Sequence, residues 1–209
     1  MNLIAKSLFK RIYQKITGVE YKISYSQTGE DLIVEFLIGA KKIMNFTYLD
    51  IGANHPVRLN NTYKFYESGF RGVCIEPDPN VFGCLSKMRP KDICLNIGVK
   101  ANEDIDAEFF VMESSLLNTF SREEAEELVR NKQSNILKVI TIPIRTVRSI
   151  IDQHFNGKSP VFVNLDVEGL DEEILLDFPF DKYRPYIFCI ETVSYTEDAS
   201  SEKRTKNLR

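Results

Sequence analysis

The sequence predicts an α/β domain built on a parallel sheet with helices on both faces, and three observations carry that prediction. Near-continuous apolar and β-branched runs recur at "FTYLDIG", "GVCIEP", "DICLNIGV", "VFVNLDV" and "YIFCIETV", the pattern of strands buried on both faces rather than of half-exposed ones. Helix-like stretches, "NNTYKFYES", "PNVFGCLSKM" and "DEEILLDF", fall between them, as crossovers between parallel strands require. The chain's 209 residues, 43% of them hydrophobic, suffice for one well-buried domain.

Taken in order, residues 1–20 place Ile4, Leu8, Ile12 and Ile16 four apart with Lys6, Lys10, Arg11 and Lys15 between them and no acid before Glu20. That is a basic amphipathic helix. Its stripe packs on its own domain or on a partner subunit, or residues 1–16 make weak contact with an anionic membrane surface. The main domain is expected over residues 21–195. It opens with a second helix, "EDLIVEFLIGAKK", ending near Gly39. In the middle, "DAEFFVME" and "KVITIPIRTV" read as extra strands, and "SREEAEELVRNK" as a helix with Ser121 and Glu124 at capping-box spacing. Residues 196–209 form a polar tail with almost no apolar residues, expected to be poorly ordered.

Composition excludes several functions. A formal charge of −3 offers no basic field for a nucleic-acid backbone. No apolar run approaches the roughly 18 residues that span a bilayer, and the N-terminus lacks the h-region of a secretory signal. A cytoplasmic protein is the expectation. Cys74, Cys84, Cys94 and Cys189 have neither CxxC spacing nor a histidine cluster and read as free thiols.

In open α/β sheets, ligands bind beyond the carboxyl ends of the strands, where the strand order reverses. "YLDIGANHP" stands at that place after the first strand, with Gly52 turning the backbone to expose amides and Asp50 directing a carboxylate toward the crevice. A dinucleotide fold needs G-x-G-x-x-G to cradle a pyrophosphate. Here Asn54, His55 and Pro56 stand where the later glycines would be, so a cofactor without a diphosphate fits better. The second strand closes with Glu76, placed to accept hydrogen bonds from both hydroxyls of a ribose. S-adenosylmethionine has a ribose, an adenine and a cationic sulfonium amino acid, and no phosphate.

The segments "YSQTGEDLIVEFL", "YLDIGANHPVRLNNTYKFYESGFRGVCIEPDP" and "VNLDVEGLDEEIL" resemble the FkbM-like methyltransferases over roughly residues 24 to 194. These carry Ser-Gln-x-Gly-Glu-Asp, Asp-Ile-Gly-Ala-Asn, Ile-Glu-Pro and Asp-x-Glu-Gly motifs in that order. The resemblance implies a Rossmann-like class I methyltransferase sheet and transfer of methyl from S-adenosylmethionine to a hydroxyl of a sugar, glycan or natural product. It also implies that Asp50, Gly52 and Asn54 shape the methionine end of the cofactor site, Glu76 holds the ribose, and Pro77 and Asp78 border the adenine. Ser26, Gln27, Gly29, Glu30 and Asp31 would fold over the cofactor, although Glu30 and Asp31 also suit a helix N-terminus.

Methyl transfer is an in-line displacement that rewards alignment, and a hydroxyl acceptor gains from a base or a metal ion. His154 precedes the fourth core strand, at the wrong edge of the sheet. Asp166 and Glu168 follow that strand and Glu191 follows the fifth, all on the crevice side. Asp166 leads as the base, with Glu168 second; His55, within the loop, is a third candidate that packing or cofactor contact would equally explain. Asp166, Glu168 and Glu191 together could hold a divalent cation. The chain stops soon after the fifth strand, so the expected sheet lacks the C-terminal antiparallel hairpin, leaving an open edge that a homodimer would cover. Two rivals follow: a non-catalytic interaction module on the same fold, and a nicotinamide-dependent oxidoreductase, weakened by the absent glycines.

Overall fold

The computed structural model describes residues 12–19, 21–101, 105–167, 170–190, 193–195 and 201–203. Residues 12–17 are helical (α1); the remainder of the basic helix expected over residues 1–20 lies largely outside the described residues. A helix α2 (Glu30–Ala40) follows, then β1 (Thr47–Ile51), α3 (Tyr63–Glu67), β2 (Arg71–Ile75), α4 (Pro79–Met88) and β3 (Ile93–Leu95). Beyond the middle section come α6 (Val147–His154), β7 (Phe162–Leu165), α7 (Asp171–Leu176) and β8 (Ile187–Ile190).

β1, β2, β3, β7 and β8 form one five-stranded sheet in the order β3-β2-β1-β7-β8, every pairing parallel. Strand order reverses between β1 and β7, which defines the crevice at their carboxyl ends. Successive side chains of a strand face opposite ways, and the two faces have separate cores. Leu49, Ile51, Val73, Ile75, Val163 and Leu165 pack with Ile150, Ile151 and Ile174 of α6 and α7. Tyr48, Cys74 and Phe162 pack on the other face with Val34, Phe65 and Leu85 of α2, α3 and α4. Each buried aliphatic or aromatic side chain contributes about 1.5–3 kcal/mol. The continuous apolar strands expected from the sequence are therefore covered on both sides.

A second sheet runs β4-β6-β5, from β4 (Gly98–Val99), β5 (Asp106–Met112) and β6 (Ile136–Arg145). The run "DICLNIGV", expected as one strand, is split between β3 and β4 in different sheets. The break falls at Asn96, whose side chain donates to the carbonyls of Glu76 and Pro77, 2.9 Å each. α5 (Arg122–Arg130) covers this sheet through Ala125 against Phe110 and Met112. Ser121 caps α5 by accepting from the Glu124 amide at 3.2 Å, but Glu124 accepts from the Thr119 hydroxyl rather than completing the box. α6 was not expected; Thr146 caps it by accepting from the Ser149 amide.

β9 (Val193–Tyr195) pairs antiparallel with β10 (Ser201–Lys203) as a two-stranded sheet of its own. The tail expected to lack structure thus supplies a strand, while the described central sheet remains wholly parallel. Among the described residues no helix is long and apolar enough to cross a membrane.

Candidate active site

At the switch point the turn after β1 lies against the end of β7. Gly52 has a φ of +80°, and a Cβ there would lie 1.8 Å from the Asp166 carbonyl oxygen. Any side chain would push the strand ends apart, since L residues are also disfavoured at that φ. The Asp166 amide donates to the Ile51 carbonyl at 3.0 Å, and the Gly52 and Ala53 amides donate to the Ile75 carbonyl at 3.1 and 2.9 Å. The turn's amides, expected to face a ligand, instead fasten β1 to β2. Gly52 is required for closure of the sheet end.

Asp50 departs further from expectation. It faces the α2–α3–α4 side of the sheet and is fully buried, accepting from the Thr62 hydroxyl and from Asn164 Nδ2 at 2.9 Å. Burial pushes its carboxyl up, opposed by the Arg89 cation 3.8 Å away and by these two hydrogen bonds. Arg89 is itself fully buried, pairing with Asp92 at 2.7 Å and donating to Thr62, Asn60 and the Tyr48 hydroxyl. Asn60 in turn donates to the Ala53 carbonyl at 2.9 Å. Asp50 therefore anchors a buried ionic network beneath the loop.

Glu76 is the acid that does sit at the loop. Its Oε2 accepts from the Asn54 amide at 2.9 Å and its Oε1 from the Asp78 amide at 2.8 Å. Burial raises its carboxyl to about 7; the two amides pull it down, and the Asp78 and Asp50 charges push it up. A carboxylate oxygen has two lone-pair sites, so one amide on each oxygen leaves an acceptor position on both. Asn54, at a φ of +46°, supplies the turn that aims its amide. Asp78 caps α4 through Oδ1 to the Asn80 amide and accepts from Asn118 through Oδ2, both 2.8 Å. Pro77 between them is half-buried.

The family model for the methyltransferase FkbM domain matches residues 50–204. The chain belongs to the FkbM methyltransferase family. No curated protein and no solved structure shows significant similarity to it. The FkbM match covers Asp50, Gly52, Asn54, Glu76 and Asp166, and it starts after the Ser26–Asp31 segment.

That segment folds back on the FkbM domain's first loop. Tyr25 accepts from the Asn60 amide at 3.0 Å through its carbonyl, and its ring meets Tyr63 edge-on at 4.8 Å. Asp31 is fully buried, accepting from Ser24, Ser26 and the Tyr25 amide. Gly29, at a φ of +102°, precedes α2. The Glu30 carboxyl, which burial alone would raise, ends below its usual range because the Thr28 hydroxyl and amide bond to it. Gln27 is exposed. These groups organise the start of α2, and the segment lies against the loop through Tyr25.

His55 Nδ1 accepts from the Val57 and Arg58 amides at 3.1 and 2.9 Å. A neutral imidazole so held carries its proton on Nε2, which leaves no lone pair to act as base. His154 ends α6, before β7, as its sequence position implied. Asp166 is half-buried at the carboxyl end of β7. Glu168 and Glu191 lie outside the described residues, and among the described residues no three of His, Cys, Asp and Glu gather as a metal site. The structure thus joins Asn54 to Glu76 at the end of β2 and sets the Asp166 backbone against Gly52 and Ile51 at the ends of β1 and β7. Sequence reasoning missed Arg89, Asn60, Asn96 and Asn164, each of which has at least one partner 19 or more residues away in the chain.

Proposed function

We propose that this FkbM-family protein is an S-adenosylmethionine-dependent O-methyltransferase acting on a hydroxyl of a sugar, glycan or natural product. The observation that carries this reading is Glu76: a carboxylate at the end of β2 with one acceptor position left on each oxygen, beside the reversal of strand order. Two such acceptors suit the adjacent hydroxyls of a ribose. The donors that would hold a pyrophosphate are committed, since the Gly52 and Ala53 amides bond to Ile75, so a phosphate-free cofactor fits and a dinucleotide does not.

When bound, S-adenosylmethionine supplies a sulfonium-borne methyl group open to in-line attack. The chain's own tasks are to bind, orient and deprotonate. Glu76 fixes the ribose, with Asn54 and Asp78 holding its carboxylate in place. Asp166, across the switch point, accepts the proton of the acceptor hydroxyl, a contribution that typically amounts to 10²–10⁴-fold.

Calorimetric titration with S-adenosylhomocysteine, with NAD in parallel, tests the cofactor. Micromolar binding that Glu76→Ala weakens at least tenfold, about 1.4 kcal/mol, is the expected result. Absence of binding by either compound would replace the enzyme with a non-catalytic module on this fold.

A further inference from the structure

Residues 12–19 and 21–44 display apolar side chains that the described residues leave uncovered. On α1, Ile12 and Ile16 are 48% and 77% exposed, and Val19 just beyond it is also exposed. Ile12 and Ile16, the described part of the stripe expected over residues 1–20, therefore do not pack on the described domain. On α2, Ile33 and Phe36, one turn apart, are 62% and 68% exposed, and Met44 after the helix is exposed as well. The connector between them touches each helix in turn: Tyr21 meets Tyr13 of α1 edge-on at 5.2 Å, and Lys22 pairs with Glu35 of α2 at 2.9 Å.

Charge follows the same segment. Five of the chain's 27 lysines and arginines but one of its 30 acids fall in residues 1–22; residues 23–44 add Lys41 and Lys42 and the acids Glu30, Asp31 and Glu35, of which Asp31 is fully buried and Glu35 is paired with Lys22 and Lys64. Lys15, Lys41 and Lys42 are exposed beside the apolar residues, while Lys22 is paired with Glu35. Apolar side chains bordered by cations suit the boundary between acyl chains and anionic headgroups. A second copy suits them less, because a two-fold contact sets the same patch against itself and would oppose these cations to one another.

We propose that the α1–α2 face docks on an anionic phospholipid surface, holding the domain at a membrane without crossing it. This attachment is independent of the cofactor assignment.

Co-sedimentation of the full chain with vesicles tests it, comparing phosphatidylcholine alone with a 3:1 mixture of phosphatidylcholine and phosphatidylglycerol. Binding to the mixed vesicles, weaker on pure phosphatidylcholine and reduced by 0.5 M salt, is expected. Each charge reversal, Lys15→Glu or Lys41→Glu, should lower the partition coefficient at least about fivefold, from the attraction each cation loses near the surface. Ile16→Asp should lower it more than about tenfold. Because Ile16 is exposed, melting temperature and the oligomeric state by light scattering should not change with these variants. Failure to bind mixed vesicles overturns the proposal, as does binding indifferent to headgroup charge and salt. A dimer that Ile16→Asp dissociates, with no vesicle binding, would assign the face to a second copy instead.

Discussion

Glu76 yields a prediction that depends on no ligand. Its carboxyl has a folded-state value of about 7 against an ordinary 4.5, a gap worth about 3 kcal/mol. The folded state holds this proton more tightly than the unfolded chain, so the linkage runs opposite to that of a salt-bridged acid. Its contribution to stability is fully present below about pH 4.5, declines as the pH rises, and is lost above about pH 7. Glu76→Gln keeps the shape and cannot ionise, although the amide satisfies only one of the Asn54 and Asp78 amides, at a pH-independent cost of about 1–3 kcal/mol. Urea unfolding of both proteins from pH 4.5 to 8 isolates the titration, since other groups cancel in the difference. Wild type should lose about 3 kcal/mol relative to the variant across that range. A difference constant to within about 0.5 kcal/mol would mean that the buried carboxylate ionises at no cost, and the argument from burial would fall.

Three further outcomes follow from the same geometry. Gly52→Ala should destabilise the fold by at least about 2 kcal/mol in chemical denaturation, combining the unfavourable φ with the clash against Asp166; a loss under about 0.5 kcal/mol would show that the strand ends can separate freely. Arg89→Met should cost about 3–5 kcal/mol because Asp50 and Asp92 lose their counter-charge, and adding Asp92→Asn should recover part of it; no recovery in the urea midpoint would mean packing, not charge, dominates. Asp166→Asn should lower kcat about a hundredfold or more with S-adenosylhomocysteine affinity within about twofold, whereas His55→Ala should cost about 1–3 kcal/mol of stability and leave kcat within about tenfold. The reverse pattern in steady-state kinetics would transfer the base role to His55.

The strands of the central sheet were legible because burial on both faces writes itself as a local apolar run, as in "YLDI" and "FVNL". α4 was legible as the helix-like stretch "PNVFGCLSKM" between two strand runs. The roles of individual site residues were less so. Asp50 looked like a crevice acid because strand-end position is local information, while the face it points to depends on partners such as Arg89 and Asn164. Arg89, in "KMRPKD", looks like an ordinary charged helix end; only the spatial meeting of Tyr48, Thr62 and Asp92 makes it a buried cation. Asn96 split an apparent strand for the same reason, its acceptors being 19 and 20 residues back. Glu76 was placed correctly at the strand end, but not the two backbone amides that clip it, because they come from turns whose path the sequence alone leaves open.

The reversal of strand order that creates the crevice also constrains how the chain reaches it. Asn164 follows Asp50 by 114 residues, so β1 pairs early with β2 on one side and waits for β7 on the other. Synthesis proceeds from the N-terminus, and until β7 emerges the centre of the finished sheet is an unpaired, apolar edge with a buried-type aspartate and arginine still in water. Such long-range parallel pairing is slow and exposes the chain to association. The ribosome-bound nascent protein, more than the finished one, is where this fold is most vulnerable.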